Sequence, residues 1–89
     1  MIYFLQDRHS LLVKVGYTSG SARSRRRMLQ TGNGSELVLL AVLEGTRGDE
    51  RRLHERFAEC RIAGEWFRPA PELLRYIISE VGFACAVDR

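Results

Sequence analysis

Met1-Ile2-Tyr3-Phe4-Leu5 and Leu11-Leu12-Val13-Lys14-Val15-Gly16-Tyr17 are the stretches that decide the fold. Both are apolar and rich in β-branched or aromatic side chains, and the polar run Asp7-Arg8-His9-Ser10 separates them. Residues 1–6 and 11–17 therefore read as two strands of a hairpin with a loop of about four residues.

Outward from the hairpin, Thr18-Ser19-Gly20-Ser21 breaks the strand pattern, and Ser21 stands where a helix N-cap belongs. The helix runs to about Gln30 and ends in Thr31-Gly32-Asn33-Gly34-Ser35, residues that accept left-handed backbone angles. Residues 36–44 contain the unbroken apolar run Leu37-Val38-Leu39-Leu40-Ala41-Val42-Leu43. Such a run predicts a strand covered on both faces and hence central in its sheet. Gly45 and Gly48 bracket a turn, and Asp49 is the expected cap of a helix from Glu50 to about Cys60. On that helix Leu53 and Phe57 share a face, with Glu50 and His54 along its edge. Ile62 to Arg68 reads as a compact structured loop, in which Trp66 and Phe67 are anchors. Pro69 and Pro71 lead into a last helix from about Glu72 to Val81, with Leu73, Leu74, Ile77, Ile78 and Val81 as its apolar stripe. The order ββαβαα predicts one α+β domain over residues 1–89: a three-stranded antiparallel sheet that starts with a β-hairpin and is flanked by three helices.

With 89 residues, 45% of them hydrophobic, the chain can build a modest core without metal or disulfide staples. Cys60 and Cys85 stand outside any Cys-x-x-Cys pattern, which predicts reduced thiols and a cytoplasmic setting. No basic leader precedes the short apolar start, and no run reaches the roughly 20 apolar residues that span a bilayer. The net charge is +3, and Lys14 is the only lysine among fourteen basic residues. Arginine matches phosphate geometry better than lysine does. Arg23, Arg25, Arg26 and Arg27 cluster on the first helix, and Arg47, Arg51, Arg52 and Arg56 on or near the second. Two such clusters suit a nucleic-acid surface.

Ala22 and Leu29 define an inward stripe on the first helix, and positions 25 and 26 should complete it. Both are arginine, so either the guanidinium groups find a partner or a wet cleft, or the helix rotates. In the rotated case Met28 and Leu29 alone touch the core, and all four arginines are solvated.

Five segments in order carry a resemblance: Ile2-Tyr3-Phe4, Lys14-Val15-Gly16, Leu29-Gln30-Thr31-Gly32-Asn33, Glu50 through Leu53-His54 to Phe57, and Gly64-Glu65-Trp66-Phe67. Together they resemble the GIY-YIG nuclease superfamily, in a small phage and bacterial branch (the meiotically up-regulated gene-like type) where Lys-hydrophobic-Gly replaces Tyr-Ile-Gly. The resemblance implies a metal-dependent endonuclease that hydrolyses DNA phosphodiester bonds, with RNA left open as a substrate. It implies catalytic roles for Tyr3, Lys14, Arg25, Glu50 and His54. Tyr3 would help to activate the attacking water, and Arg25 would grip the scissile phosphate. Glu50 would hold Mg²⁺ or Mn²⁺, and His54 would sit one turn away, within reach of phosphate or a metal-bound water. Arg23, Arg26, Arg27 and Arg51 would contact the nucleic acid. Spacing back from Thr31-Gly32 selects Arg25, but spacing forward from Gly16 falls nearer Ser24, so Arg23 and Arg26 stay open. Lys14 stands where better-known members carry tyrosine. Tyr17 should point to the opposite face of its strand and so does not substitute for it. Glu65 is either a second acid at the site or a partner for one of the basic residues. The other readings of the chain are a nucleic-acid-binding module without turnover and a protein–protein interaction domain whose basic surface meets an acidic partner.

Overall fold

Two strands made from the opening stretches lie at the heart of the sheet. The structure, a computed structural model, describes the backbone of residues 1–87 and the side chains of residues 1–79. Val81 of the expected stripe and Cys85 lie outside the described side chains. Strands β1 (Ile2–Asp7) and β2 (Val13–Tyr17) pair antiparallel, Tyr3 opposite Gly16 and Leu5 opposite Lys14. Helix α1 (Ala22–Thr31), strand β3 (Leu37–Leu43) and helix α2 (Arg47–Arg56) follow. A 3₁₀ turn, Ala58–Cys60, leads to β4 (Arg61–Ala63), β5 (Trp66–Phe67) and helix α3 (Pro71–Val87).

The α+β class is as expected, but the sheet has five antiparallel strands and not three, in the order β3-β1-β2-β5-β4. The two added strands come from the segment read as a loop. Ala63 pairs with Trp66 across a two-residue turn whose first member, Gly64, has φ +55°. Hairpin turns of the primed type need a positive φ at that position, which glycine meets without strain.

A second correction concerns β3, which is an edge strand. Its apolar run does report cover on both faces, since α1 packs on one side and α3 on the other. The register against β1 shifts between Phe4 and Leu5, so Leu40 is left without a partner residue. This bulge flips the parity of the strand. Leu37, Leu39 and Val42 join the α1 side, while Leu40, Ala41 and Leu43 join the other. Strand β1, flanked by β2 and β3, is the one buried on both faces. Ile2 and Phe4 pack with Leu53, Phe57, Leu73 and Ile77 beneath α2 and α3; Tyr3 and Leu5 pack with Ala22 and Leu37 beneath α1.

The caps follow local chemistry. Ser21 accepts the Ser24 N–H, as expected. Thr46, not Asp49, caps α2: its hydroxyl accepts the Asp49 N–H, and the Asp49 carboxylate accepts the Thr46 N–H in return. This reciprocal capping box places Asp49 inside the first turn. Beyond α1 no left-handed residue is used; among the described residues positive φ occurs at Leu11 and Gly64. Side chains close that turn instead. Gln30 donates to the Ser35 carbonyl and accepts the Leu37 N–H, and Asn33 donates to the Ser35 carbonyl.

Asp7, at the end of β1, ties this turn to the hairpin. Its carboxylate accepts the N–H groups of Ser10 and His9, the Ser35 hydroxyl and the Asn33 amide. The Ser10 N–H foremost, then the Ser35 hydroxyl, hold the carboxyl well below the usual carboxylate range. A depressed folded-state pKa stabilises the chain above the ordinary value of 3.8, and that contribution is lost as pH falls below it. Melting curves from about pH 4 down to about pH 2.5 should therefore fall less steeply for Asp7→Asn than for the parent. Equal slopes would show that Asp7 has no such role.

Candidate active site

Tyr3 is the centre of the site. A Cβ at Gly16 would stand 2.4 Å from both Cζ and the hydroxyl oxygen of Tyr3, so the ring lies flat across the glycine on the neighbouring strand. The residue is only 2% exposed. Its hydroxyl nevertheless has no hydrogen-bond partner among the described residues. No buried side-chain polar atom among them lacks a partner, so the hydroxyl must reach solvent. A buried ring thus presents a wet, uncommitted tip. Burial first, then the negative charge of Glu65, push the phenol up to about 12; Arg25 opposes this and Glu50 adds to it. All three charged groups lie near enough to act on the phenolic proton, and at neutral pH that proton stays in place.

Arg25 arrives on α1. The faces of that helix divide as the stripe requires: Ala22 is buried, Arg25, Arg26 and Leu29 are half-buried, and Arg23 and Arg27 are exposed. Met28, at 68% exposure, points away from the core, so the rotated arrangement is not observed. Arg26 donates from Nη1 to the Leu37 carbonyl at 3.3 Å, and Arg27 donates to the Ser24 hydroxyl at 3.5 Å. The Arg25 guanidinium has no hydrogen bond or ion pair among the described residues. Of the arginines that spacing left open, it is the one whose charge acts on Tyr3.

Glu50 and His54 reach the site because β5 is short. It pairs only with Val13 and Lys14 of β2, leaving the edge from Val15 to Tyr17 open to α2. Arg47, at the start of α2, stacks over the Tyr17 ring at 4.9 Å. Tyr17 thus faces α2, opposite to Lys14. At the far end His54 donates from Nε2 to the Val15 carbonyl at 2.8 Å, and its ring meets Phe67 edge-on at 5.1 Å. Glu50 lies between these two contacts on the helix, and its charge acts on Tyr3. Its half-buried carboxylate has no hydrogen bond or ion pair among the described residues, and the N-terminal half of a helix favours its charge.

Lys14 stands on the Tyr3 side of the sheet, paired with Leu5 and Trp66. Its ammonium is 3.0 Å from Glu65 Oε1 and 5.4 Å from the centre of the Trp66 ring, so it is not an ordinary exposed strand lysine. Glu65 is the residue that sequence reasoning left undecided. Its carbonyl accepts the Val15 N–H at 2.9 Å, its carboxylate holds Lys14, and its charge reaches Tyr3. Only its place beside the turn glycine Gly64 signalled this, and only once the register of β5 is known. Phe67 is fully buried and Trp66 half-buried against the Tyr3 side, both as anchors. Cys60 is a buried free thiol that donates to Glu72.

Among the described residues no three His, Cys, Asp or Glu side chains gather to hold a metal. A bound ion would therefore depend on few protein ligands. No helix among them is long and apolar enough to cross a membrane.

The T5orf172 domain model matches residues 1–82. The chain belongs to the T5orf172 domain family. This phage-associated domain occurs in nuclease-like proteins, in keeping with a nucleic-acid-directed role. No curated protein and no solved structure matches this T5orf172 chain significantly.

Proposed function

We propose that this T5orf172 domain is a metal-dependent endonuclease of the GIY-YIG type that hydrolyses DNA phosphodiester bonds. The observation that carries the reading is the Tyr3 hydroxyl: a wet phenol on a buried ring, with one cation and two carboxylates acting on it. Arg25, whose guanidinium has no partner among the described residues, would hold the non-bridging oxygens of the scissile phosphate and offset their growing charge. Tyr3 keeps its proton and would orient a water or a phosphate oxygen by hydrogen bonding, without first ionising. Lys14, fixed by Glu65 and Trp66, would add positive charge beside the phosphate. Exposed Arg23, Arg27 and Arg51 suit the flanking phosphates, with Arg26 nearer the sheet.

The donor set fits Mg²⁺ or Mn²⁺ better than a metal that needs a full protein cage, because Glu50 offers one uncommitted carboxylate and Mg²⁺ retains most of its waters. Bound there, the ion would polarise the phosphate and stabilise the leaving oxygen. The second reading, a binding module without turnover, is favoured by one feature. Lys14 stands in place of a tyrosine and is already neutralised by Glu65.

The test is cleavage of labelled single- and double-stranded DNA in Mg²⁺, Mn²⁺ or EDTA, beside retention measured across a salt series. Metal-dependent cutting supports the nuclease. Salt-sensitive retention without cutting under any condition supports the binding module. Two variants sharpen the assignment. Arg25→Ala should slow cutting by about 10²-fold with the fold intact. Arg26→Ala should lower stability by about 1 kcal/mol, since its one hydrogen bond to the Leu37 carbonyl is partly exposed, and slow cutting far less. Equal losses of rate in both would remove Arg25 from its role.

A further inference from the structure

His54 shares α2 with Glu50, and the resemblance to nucleases gives it a chemical task. Its contacts suggest a different one. Val15 is the first residue of β2 that β5 does not pair: its N–H goes to the Glu65 carbonyl, and its own carbonyl would stay empty where β5 stops. His54 Nε2 fills that position at 2.8 Å, in the place of a sheet neighbour. A carbonyl only accepts, so Nε2 must carry the proton, which fixes the ring as the Nε2–H tautomer whenever it is neutral. The edge-on contact with Phe67 at 5.1 Å, itself in the strand that pairs Val13, holds the ring from the other side. Glu50 is one helical turn from His54, and Gly16, beneath Tyr3, directly follows Val15.

We infer that His54 is a positioning residue. It latches α2 to the open edge of β2 and so fixes the distance between the Glu50 carboxylate and the Tyr3 hydroxyl. This rests on the nuclease reading for its consequence, but the latch itself does not. Nε2 is taken up in the latch, and hydrogen bonding at that nitrogen is the work the side chain does.

The chain has two histidines, and exposed His9 serves as an internal control. Long-range ¹H–¹⁵N spectra of the whole chain near pH 8 should show His54 locked as the Nε2–H tautomer, and His9 averaged between tautomers. In the cleavage assay His54→Gln, whose side-chain amide also donates, should stay within about threefold of the parent, with an unchanged pH profile. His54→Ala should fall by about tenfold or more. Tautomer averaging at His54 would overturn the latch. So would a His54→Gln variant as slow as His54→Ala, with a limb of the pH profile lost, because a general acid or base is not replaced by an amide. If the parent cuts nothing, the nuclease reading falls, and the spectrum decides the latch by itself.

Discussion

Glu50→Ala is expected to abolish metal-dependent cutting of DNA while leaving DNA retention in place. A metal at such a site supplies several kcal/mol of transition-state stabilisation, and each 1.36 kcal/mol is tenfold in rate, so the loss should be roughly 10³-fold. Retention should survive or rise slightly, because the change removes a negative charge from the surface proposed to receive phosphates. The fold should tolerate it, since the Glu50 carboxylate makes no hydrogen bond or ion pair among the described residues. Its favourable place near the helix N-terminus contributes only about 0.3–1 kcal/mol. Parent and variant should therefore melt within a few degrees of each other. A variant that still cuts at a comparable rate, or whose cutting is insensitive to EDTA, would remove Glu50 from the site.

Gly16→Ala is the second large effect, and it works through shape. The new methyl would lie 2.4 Å from Cζ and from the hydroxyl oxygen of Tyr3, far inside contact distance. The ring is packed with Leu5 and Ala22 on the α1 side, so either the ring is driven off the strand or the β1–β2 pairing opens. Over-packing of this kind costs about 1–3 kcal/mol. The displaced hydroxyl should slow cutting by about 10²-fold, since a misplacement near 1 Å is enough for that. Tyr3→Phe separates the two effects: it should lose rate without the loss of stability. Adding Tyr3→Ala to Gly16→Ala opens space for the methyl and so relieves the clash, but should not restore cutting. A Gly16→Ala chain with parental stability and rate would mean that the ring does not lie across the glycine.

Short-range periodicity made the placement of part of the candidate site legible, while the chemical roles of its residues came only from the resemblance. The hairpin register sets Tyr3 against Gly16, and the helical stripe carries Arg25 and Arg26 inward whatever the neighbours are. The parts that were not legible depend on partners far along the chain. Strands β4 and β5 hold three and two residues, and all of β4 is exposed, so no alternation announces them. Strand β5 is defined by its pairing with Val13 and Lys14, and β4 by its pairing with β5. The apolar run of β3 reports what covers its faces, not what lies at its edges, and the bulge at Leu40 erased the alternation that would have marked it. The cap of α2 was misplaced by three residues because Thr46 and Asp49 cap each other, and either one alone reads as a start signal.

The pairing of Lys14 with Trp66 has a consequence for the order of events in folding. The loop it closes contains α1, β3 and α2, so its closure entropy must be overcome before the contact stabilises anything. The hairpin and its helix can form early from local contacts, and they already carry Tyr3, Gly16 and Arg25. Glu65 and the end of β5, which define the open edge where α2 docks, can join only after Trp66 has emerged from the ribosome. A nascent chain therefore displays its arginines well before the site is complete. On the proposed nuclease reading, such a chain would meet nucleic acid during synthesis as a binder, and hydrolysis would wait until the sheet had closed.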